Sequence, residues 1–239
     1  MGQKKLERFA AIKTFPNVLE YPKNMQGKWN DFFKNKHPIV LELACGKGEY
    51  TLGLSKIYPQ KNFIGVDIKG NRIWRGAKTA LDEHLAHVAF LRTPIEIIHE
   101  YFAKDEIEAI WLTFPDPHLP NAKWKKRLTS PRFLRLYQQF LQKEGIVHVK
   151  TDSPVLYKFT KAVIEIYGLE LVKDDDNVYK NLQASPELSI KTFYESLDIA
   201  GLHKVHYLSF KLNKDLPLEK DDILKKHVFE VLQHEDDKK

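Results

Sequence analysis

The sequence predicts an α/β domain whose sheet is mostly parallel, with an antiparallel last strand and helices on both faces. Three observations predict it. Short apolar runs alternate with helix-length amphipathic stretches from Ile39 onward, the pattern of a parallel sheet wrapped by helices. Acids stand within or at the exits of three of these runs, at Glu42, Asp67 and Asp116, and open α/β sheets bind ligands at strand exits. The final run, residues 204–212, alternates apolar and polar side chains and follows a loop rather than a helix, so it returns antiparallel.

Residues 1–38 lack periodicity and carry Lys4, Lys5, Arg8 and Lys13 among Phe9, Phe15 and Trp29. They read as a basic N-terminal extension, either a plain arm or one that touches a polyanion. The domain proper spans 39–212. Ile39-Val-Leu-Glu-Leu43 is its first strand, followed by the turn Ala44-Cys-Gly-Lys-Gly48 and a helix over 49–57. A second strand covers 62–66 and ends at Asp67, and a helix follows over 70–84. A third strand spans 87–91, a helix 95–102, and a fourth strand 109–114.

Ser130-Pro131 is an N-cap followed by proline in the first turn, opening a helix to about residue 143 with Gly145 as its stop. Residues 146–151 form a fifth strand. Ser153-Pro154 repeats the same start for a helix that ends near Gly168, and 169–173 form a sixth strand. After a polar loop and the 204–212 strand comes a tail, 213–239. There Ile223, Leu224, Val228, Val231 and Leu232 share one face of an amphipathic helix that docks on the body.

The fourth strand stops at Pro115-Asp-Pro117. Each proline fixes its own φ and biases the preceding residue to extended geometry, so Asp116 is held rigidly at the strand exit. A turn built on proline is the structural alternative. Directly after it, Lys123-Trp-Lys-Lys-Arg-Leu128 sets four cations around an indole. An acid beside such a loop suits a site that handles both a cation and a polyanion.

The chain has 239 residues, a net charge of +6 and a pI near 9.1, so clustering of charge carries more meaning than its sum. One cysteine, Cys45, excludes an intrachain disulfide and a Cys-rich zinc site and fits a reducing cytoplasm. It reads as a small turn residue. No histidine spacing suggests a metal site, and His203 and His206 read as surface-facing strand residues. No apolar run approaches the roughly 18 residues of a membrane span, and no signal-peptide core is present.

The turn after the first strand lacks the third glycine of a dinucleotide fingerprint and the Gly-Lys-Ser/Thr of a phosphate loop. What remains is Glu42, a small-residue turn, and Asp67 about twenty residues on, placed to accept ribose hydroxyls. Glu42 suits a positively charged part of the ligand. These requirements match S-adenosylmethionine.

Taken together, Leu41-Glu-Leu-Ala-Cys-Gly-Lys-Gly-Glu49, Gly65-Val-Asp67, Phe114-Pro-Asp-Pro117, Lys125-Lys-Arg-Leu-Thr129, Lys150-Thr-Asp152 and Thr192-Phe-Tyr-Glu195 resemble the bacterial tRNA (guanine-N7)-methyltransferases. The resemblance runs from about Phe9 to Leu212. It implies a Rossmann-like class I methyltransferase sheet, with tRNA as the partner and S-adenosylmethionine as the methyl donor. By this resemblance Glu42, Gly46, Gly48, Asp67 and Asp116 surround the donor, and Thr93 falls where the family has an acid. Asp152 and Thr192, Tyr194 and Glu195 approach the target guanine, and Asp116 is the catalytic candidate.

The chain departs from the family at Ala44 (glycine), His118 (tryptophan) and Pro120 (lysine), and Lys123 is the nearest replacement cation. Asp152 and Thr192-x-x-Glu195 also have structural readings, as a helix start and a capping box.

Guanine N7 offers a lone pair and no proton, so an in-line displacement there needs no general base. Asp116 and Asp152 are placed to stabilise charge developing on the purine. Lys123, Lys125 and Arg127 hold phosphates, and Trp124 offers a stacking surface. Two alternatives stay open: a donor-dependent methyltransferase with a non-RNA substrate, and a non-catalytic RNA-binding protein on the same fold.

Overall fold

The central strands are buried along nearly their whole length, as a sheet covered on both faces requires. The computed structural model describes residues 3–180, 185–196 and 204–236. Its strands are β1 (Val18–Glu20), β2 (Ile39–Leu43), β3 (Asn62–Asp67), β4 (Val88–Arg92), β5 (Ile107–Thr113), β6 (Leu141–Thr151), β7 (Glu170–Asp175) and β8 (His206–Lys211). They form one sheet in the order β1-β4-β3-β2-β5-β6-β8-β7. β8 runs antiparallel between β6 and β7, and every other pairing is parallel. The chain builds outward from β2 in one direction and from β5 in the other. The carboxyl ends of β2 and β5 are therefore the switch point of the sheet, where ligands of open α/β folds sit.

The helices are α1 (Gln3–Ala11), α2 (Trp29–Phe33), α3 (Glu49–Ile57), α4 (Gly70–Asp82), α5 (Pro131–Tyr137), α6 (Pro154–Tyr167), α7 (Phe193–Ser196) and α8 (Lys220–Asp236). Alternate strand residues face opposite layers. Leu41, Leu43, Ile110 and Leu112 pack with α5, α6 and α8 in one layer. Val40, Phe63, Phe90 and Trp111 pack with α3 and α4 in the other. Glu42, between Leu41 and Leu43, faces the α3 layer.

Four expectations need correction. The N-terminal segment is not only an extension, because β1 pairs in parallel with β4 and completes the sheet edge. Three residues are too few to show periodicity. The stretch after β4 is a kinked 3-10 turn over Ile95–Glu100 rather than an α-helix. α5 ends at Tyr137, and Gly145 lies inside β6 instead of stopping a helix. Phe140 and Leu141 are apolar enough to enter the core beside Ile107, and the register shifts before Ile146. At Gly145 a Cβ would lie 2.6 Å from Leu141 Cγ, so the irregularity needs glycine. His206 is buried and stacks on Tyr157 at 4.3 Å rather than facing solvent. His203 lies outside the described residues.

α8 docks as its spacing predicts. Leu224 and Val228 are fully buried, and Arg135 holds Asp221 at 2.5 and 3.1 Å. The side chains of Val231 and Leu232 lie outside the described residues.

Candidate active site

Glu42 sits one residue before the end of the most central strand pair and is 3% exposed. Its Oε2 accepts from Thr51 N (2.7 Å) and Thr51 Oγ1 (2.5 Å), and its Oε1 accepts from Thr113 Oγ1 (2.7 Å). Burial nevertheless pushes its pKa up to about 7, because the loss of water outweighs these three donors. A carboxyl balanced in this way becomes a full carboxylate when a cation arrives beside it.

The turn after β2 holds Ala44, Gly46 and Gly48 at φ of 59°, 58° and 75°. The two glycines have different reasons. At Gly48 a Cβ would meet Phe90 Cε1 at 2.6 Å, so the turn packs directly on the sheet. At Gly46 a Cβ would meet nothing within 4 Å, and the residue lines an open cleft. Bare backbone facing empty space is what a closely approaching ligand requires. Gly46 N donates to Asp67 Oδ2 at 3.0 Å, and Lys69 N donates to Asp67 Oδ1 at 2.7 Å. Each oxygen retains a lone pair for a hydroxyl.

The cleft is lined by Glu42, Gly46, Lys47, Arg72, Thr113 and Phe114 on the sheet side, and is walled by Thr192 and Phe193. Phe193 lies under Lys47, whose Nζ is 3.1 Å from the ring centroid. Thr192 and Glu195 form a reciprocal capping box: Thr192 N donates to Glu195 Oε2 (3.1 Å) and Glu195 N donates to Thr192 Oγ1 (3.2 Å). Glu195 Oε1 also pairs with Lys150 Nζ at 2.8 Å and accepts from the Tyr179 hydroxyl. The Glu195 carboxylate is thus held inside this network rather than presented to the cleft. Tyr194 has its side chain outside the described residues.

Asp116 and Asp152 are exposed and stand outside the cleft lining. Asp116 is 74% exposed at its side chain and accepts from His118 N at 2.9 Å, which closes the Pro-Asp-Pro turn. Ser153, not Asp152, caps α6, accepting from Leu156 N at 3.2 Å. That leaves the Asp152 carboxylate outside the helix start.

Thr93 is fully buried and donates to the Tyr101 hydroxyl at 3.1 Å, so it faces the interior.

The basic loop divides. Lys123, Lys125 and Lys126 are exposed. Arg127 is fully buried, donating from Nε to Pro117 O (2.9 Å) and from Nη2 to His118 O (3.3 Å), with its guanidinium 4.6 Å from the Phe159 ring. Trp124 is 4% exposed and lies 6.4 Å from Phe159. The expectations that Arg127 holds phosphate and that Trp124 stacks on a base therefore fail, because the short loop turns both inward to reach α6. Alternation of charge and aromaticity could not reveal which members point in.

Sequence reading missed Thr51 and Thr113 as parts of the site, and had Lys150 and Phe193 only as members of the motifs that carry the resemblance. A threonine in the first turn of the helix after the Gly-rich turn was the available signal for Thr51.

Comparisons with known proteins agree with this geometry. Residues 36–201 match the family model of a putative methyltransferase. The chain is 45% identical over 232 residues to a tRNA (guanine-N(7)-)-methyltransferase of Bacteroides thetaiotaomicron, spanning 93% of this chain and 91% of that protein. It is 47% identical over 215 residues to the Porphyromonas gingivalis protein of the same name, spanning 85% and 87%. Among solved structures it superposes on the 16S rRNA methyltransferase KamB with a TM-score of 0.60 at 12% identity, covering 82% of this chain and 98% of that one. A 30S ribosomal A1408 methyltransferase from an uncultured bacterium gives 0.55 at 16% identity, covering 77% and 92%. At these identities the structural likeness shows the fold: a class I methyltransferase sheet. No helix among the described residues is long and apolar enough to cross a membrane.

Proposed function

The chain belongs to the tRNA (guanine-N7)-methyltransferase family, and from that premise we propose that it transfers a methyl group from S-adenosylmethionine to N7 of a guanine in tRNA. The observation that carries the donor reading is the cleft at the switch point. There an open backbone at Gly46 and the poised Glu42 carboxyl line the cleft, and the Asp67 carboxylate stands behind Gly46, accepting from its N–H. Glu42 faces a positively charged part of the donor, and Asp67 takes ribose hydroxyls. S-adenosylmethionine, when bound, supplies a methyl group on a cationic sulfur.

The chain's own residues then have three tasks. The first is positioning: holding N7 in line with the methyl group converts a two-body collision into a one-body step. The second is charge management. N7 has a lone pair and no proton, so no general base is required, and positive charge appears on the purine as the methyl moves. Asp116 and Asp152, both exposed at strand exits, stabilise that charge. The third is holding the RNA while the base leaves its stack. The exposed Lys123, Lys125 and Lys126 supply phosphate contacts, and Lys123 stands in for the cation absent at Pro120. Thr192 and Phe193 close the cleft towards the base. A tRNA substrate supports a cytoplasmic location.

Labelled S-adenosylmethionine and unmodified bulk tRNA test the proposal. 7-Methylguanosine in the digest, lost with Asp116→Ala, is the expected result. Donor and tRNA binding without transfer would instead support a non-catalytic RNA-binding role.

A further inference from the structure

Lys150, at the carboxyl end of β6, is fully buried. A desolvated ammonium costs several kcal/mol unless every donor is used. Here the donors converge on one segment: Nζ reaches Leu188 O and Ile190 O at 3.0 Å each, and Glu195 Oε1 at 2.8 Å. The rings of Tyr50 and Phe114 lie 5.3 and 5.6 Å away and lessen the cost. Burial lowers the Lys150 pKa, and the Glu195 carboxylate opposes that shift.

The same segment is fitted on its other side. Ile190 occupies the notch left by Gly53, where a Cβ would lie 2.9 Å from Ile190 Cδ1. Residues 185–196 are thus a strap held at Leu188, Ile190 and Glu195, and Thr192 and Phe193 in it form the wall of the donor cleft. An apolar residue of similar volume would bury at lower cost than this ammonium, so packing alone does not account for the lysine.

We propose that Lys150 is a positioning residue: acting through Glu195, it fixes the 185–196 strap as one wall of the donor cleft. It thereby sets where Thr192 and Phe193 meet the donor and the incoming base. The proposal rests on the methyltransferase reading for what enters the cleft, but not for the strap itself.

The test uses the full-length protein with Lys150→Met, Lys150→Arg, Glu195→Gln and the Lys150→Met/Glu195→Gln double variant. Trypsin cleavage after the exposed Lys191 reads the strap directly, and calorimetry with S-adenosylhomocysteine reads the cleft. Lys150→Met is expected to speed cleavage at Lys191 and weaken S-adenosylhomocysteine about tenfold. The melting temperature falls as well, because Glu195 and two carbonyl oxygens lose a buried cation, so cleavage is read well below it. Lys150→Arg is expected to restore part of the protection. The double variant is expected to match Lys150→Met rather than sum the two single effects.

Unchanged protection at Lys191 in Lys150→Met, or additive effects in the double variant, would overturn the proposal. If Lys150→Met does not fold, Glu195→Gln alone decides by the same cleavage. A parent protein that binds S-adenosylhomocysteine but methylates no guanine would sink the functional reading and leave the strap result standing.

Discussion

Arg127 Nε donates to the carbonyl oxygen of Pro117 at 2.9 Å, and this bond ties the basic loop to the turn that carries Asp116. The guanidinium also reaches His118 O, so both residues after Asp116 are held from below. The rigidity first attributed to two prolines is therefore shared with a buried cation ten residues away.

Asp116→Ala should abolish methyl transfer without unfolding the protein. Its side chain is 74% exposed and its bond is to the neighbouring His118 N. Exposed substitutions of this kind change stability by roughly 0.5 kcal/mol, whereas removing a preorganised charge from a transition state lowers kcat by about 100-fold or more. Single-turnover methylation beside a thermal melt checks both parts. An active variant would remove Asp116 from the mechanism.

The basic loop should split into two classes of effect. Replacing Lys123, Lys125 and Lys126 with alanine is expected to lower the slope of log binding against log salt by about 2, with the melting temperature kept. Arg127→Ala is expected to cost roughly 3 kcal/mol of stability, because two partly buried carbonyl oxygens lose a charged donor and a fully buried side chain is truncated. Salt-dependent tRNA binding and calorimetric melting separate the two. A stable Arg127→Ala with weakened RNA binding would return that residue to the RNA surface.

Glu42 should make both stability and ligand binding depend on pH. Burial raises its pKa from 4.5 to about 7, so the folded state holds the proton more tightly than the unfolded chain. That contribution is fully present below the unfolded value and is lost as pH rises through the folded one. Between about pH 4.5 and 7 the parent should therefore lose stability relative to Glu42→Gln. A cation entering the cleft favours the carboxylate, so binding of a cationic donor analogue at neutral pH should release protons. Binding heats measured in buffers of different ionisation enthalpy report this. Heats that do not vary with buffer would rule out a Glu42–cation contact.

Ala44→Gly should stabilise the fold. Ala44 holds φ at 59°, a conformation that costs an L-residue about 1–2 kcal/mol, while glycine gives back about 0.5–1 kcal/mol through unfolded-chain entropy. A net gain of roughly 0.5 kcal/mol, or about 1–2 °C in melting temperature, is expected. A lower melting temperature would mean that the alanine methyl packs favourably enough to outweigh the strain.

Much of this protein was legible without coordinates. Burial on two faces demands near-continuous apolar strands, so β2 to β6 announced themselves, and proline after Ser130 and Ser153 marked two helix starts. Glu42, Asp67 and Asp116 stood out because charge at a strand end is conspicuous against apolar neighbours, but of the three only Glu42 lines the cleft. The short β1 and the irregular entry to β6 could not, because three-residue pairing and a register shift leave no period to detect.

The sequence by itself determined the α/β alternation, the acids at the strand exits and, through its motifs, the methyltransferase family. Only the tertiary structure decided which cations face water and which acid is already occupied. Arg127 turned inward, Glu195 was claimed by Lys150, and Thr93 bonded to Tyr101. The reason is physical: whether a polar side chain is free or committed depends on partners distant in the chain, and local composition carries no record of them.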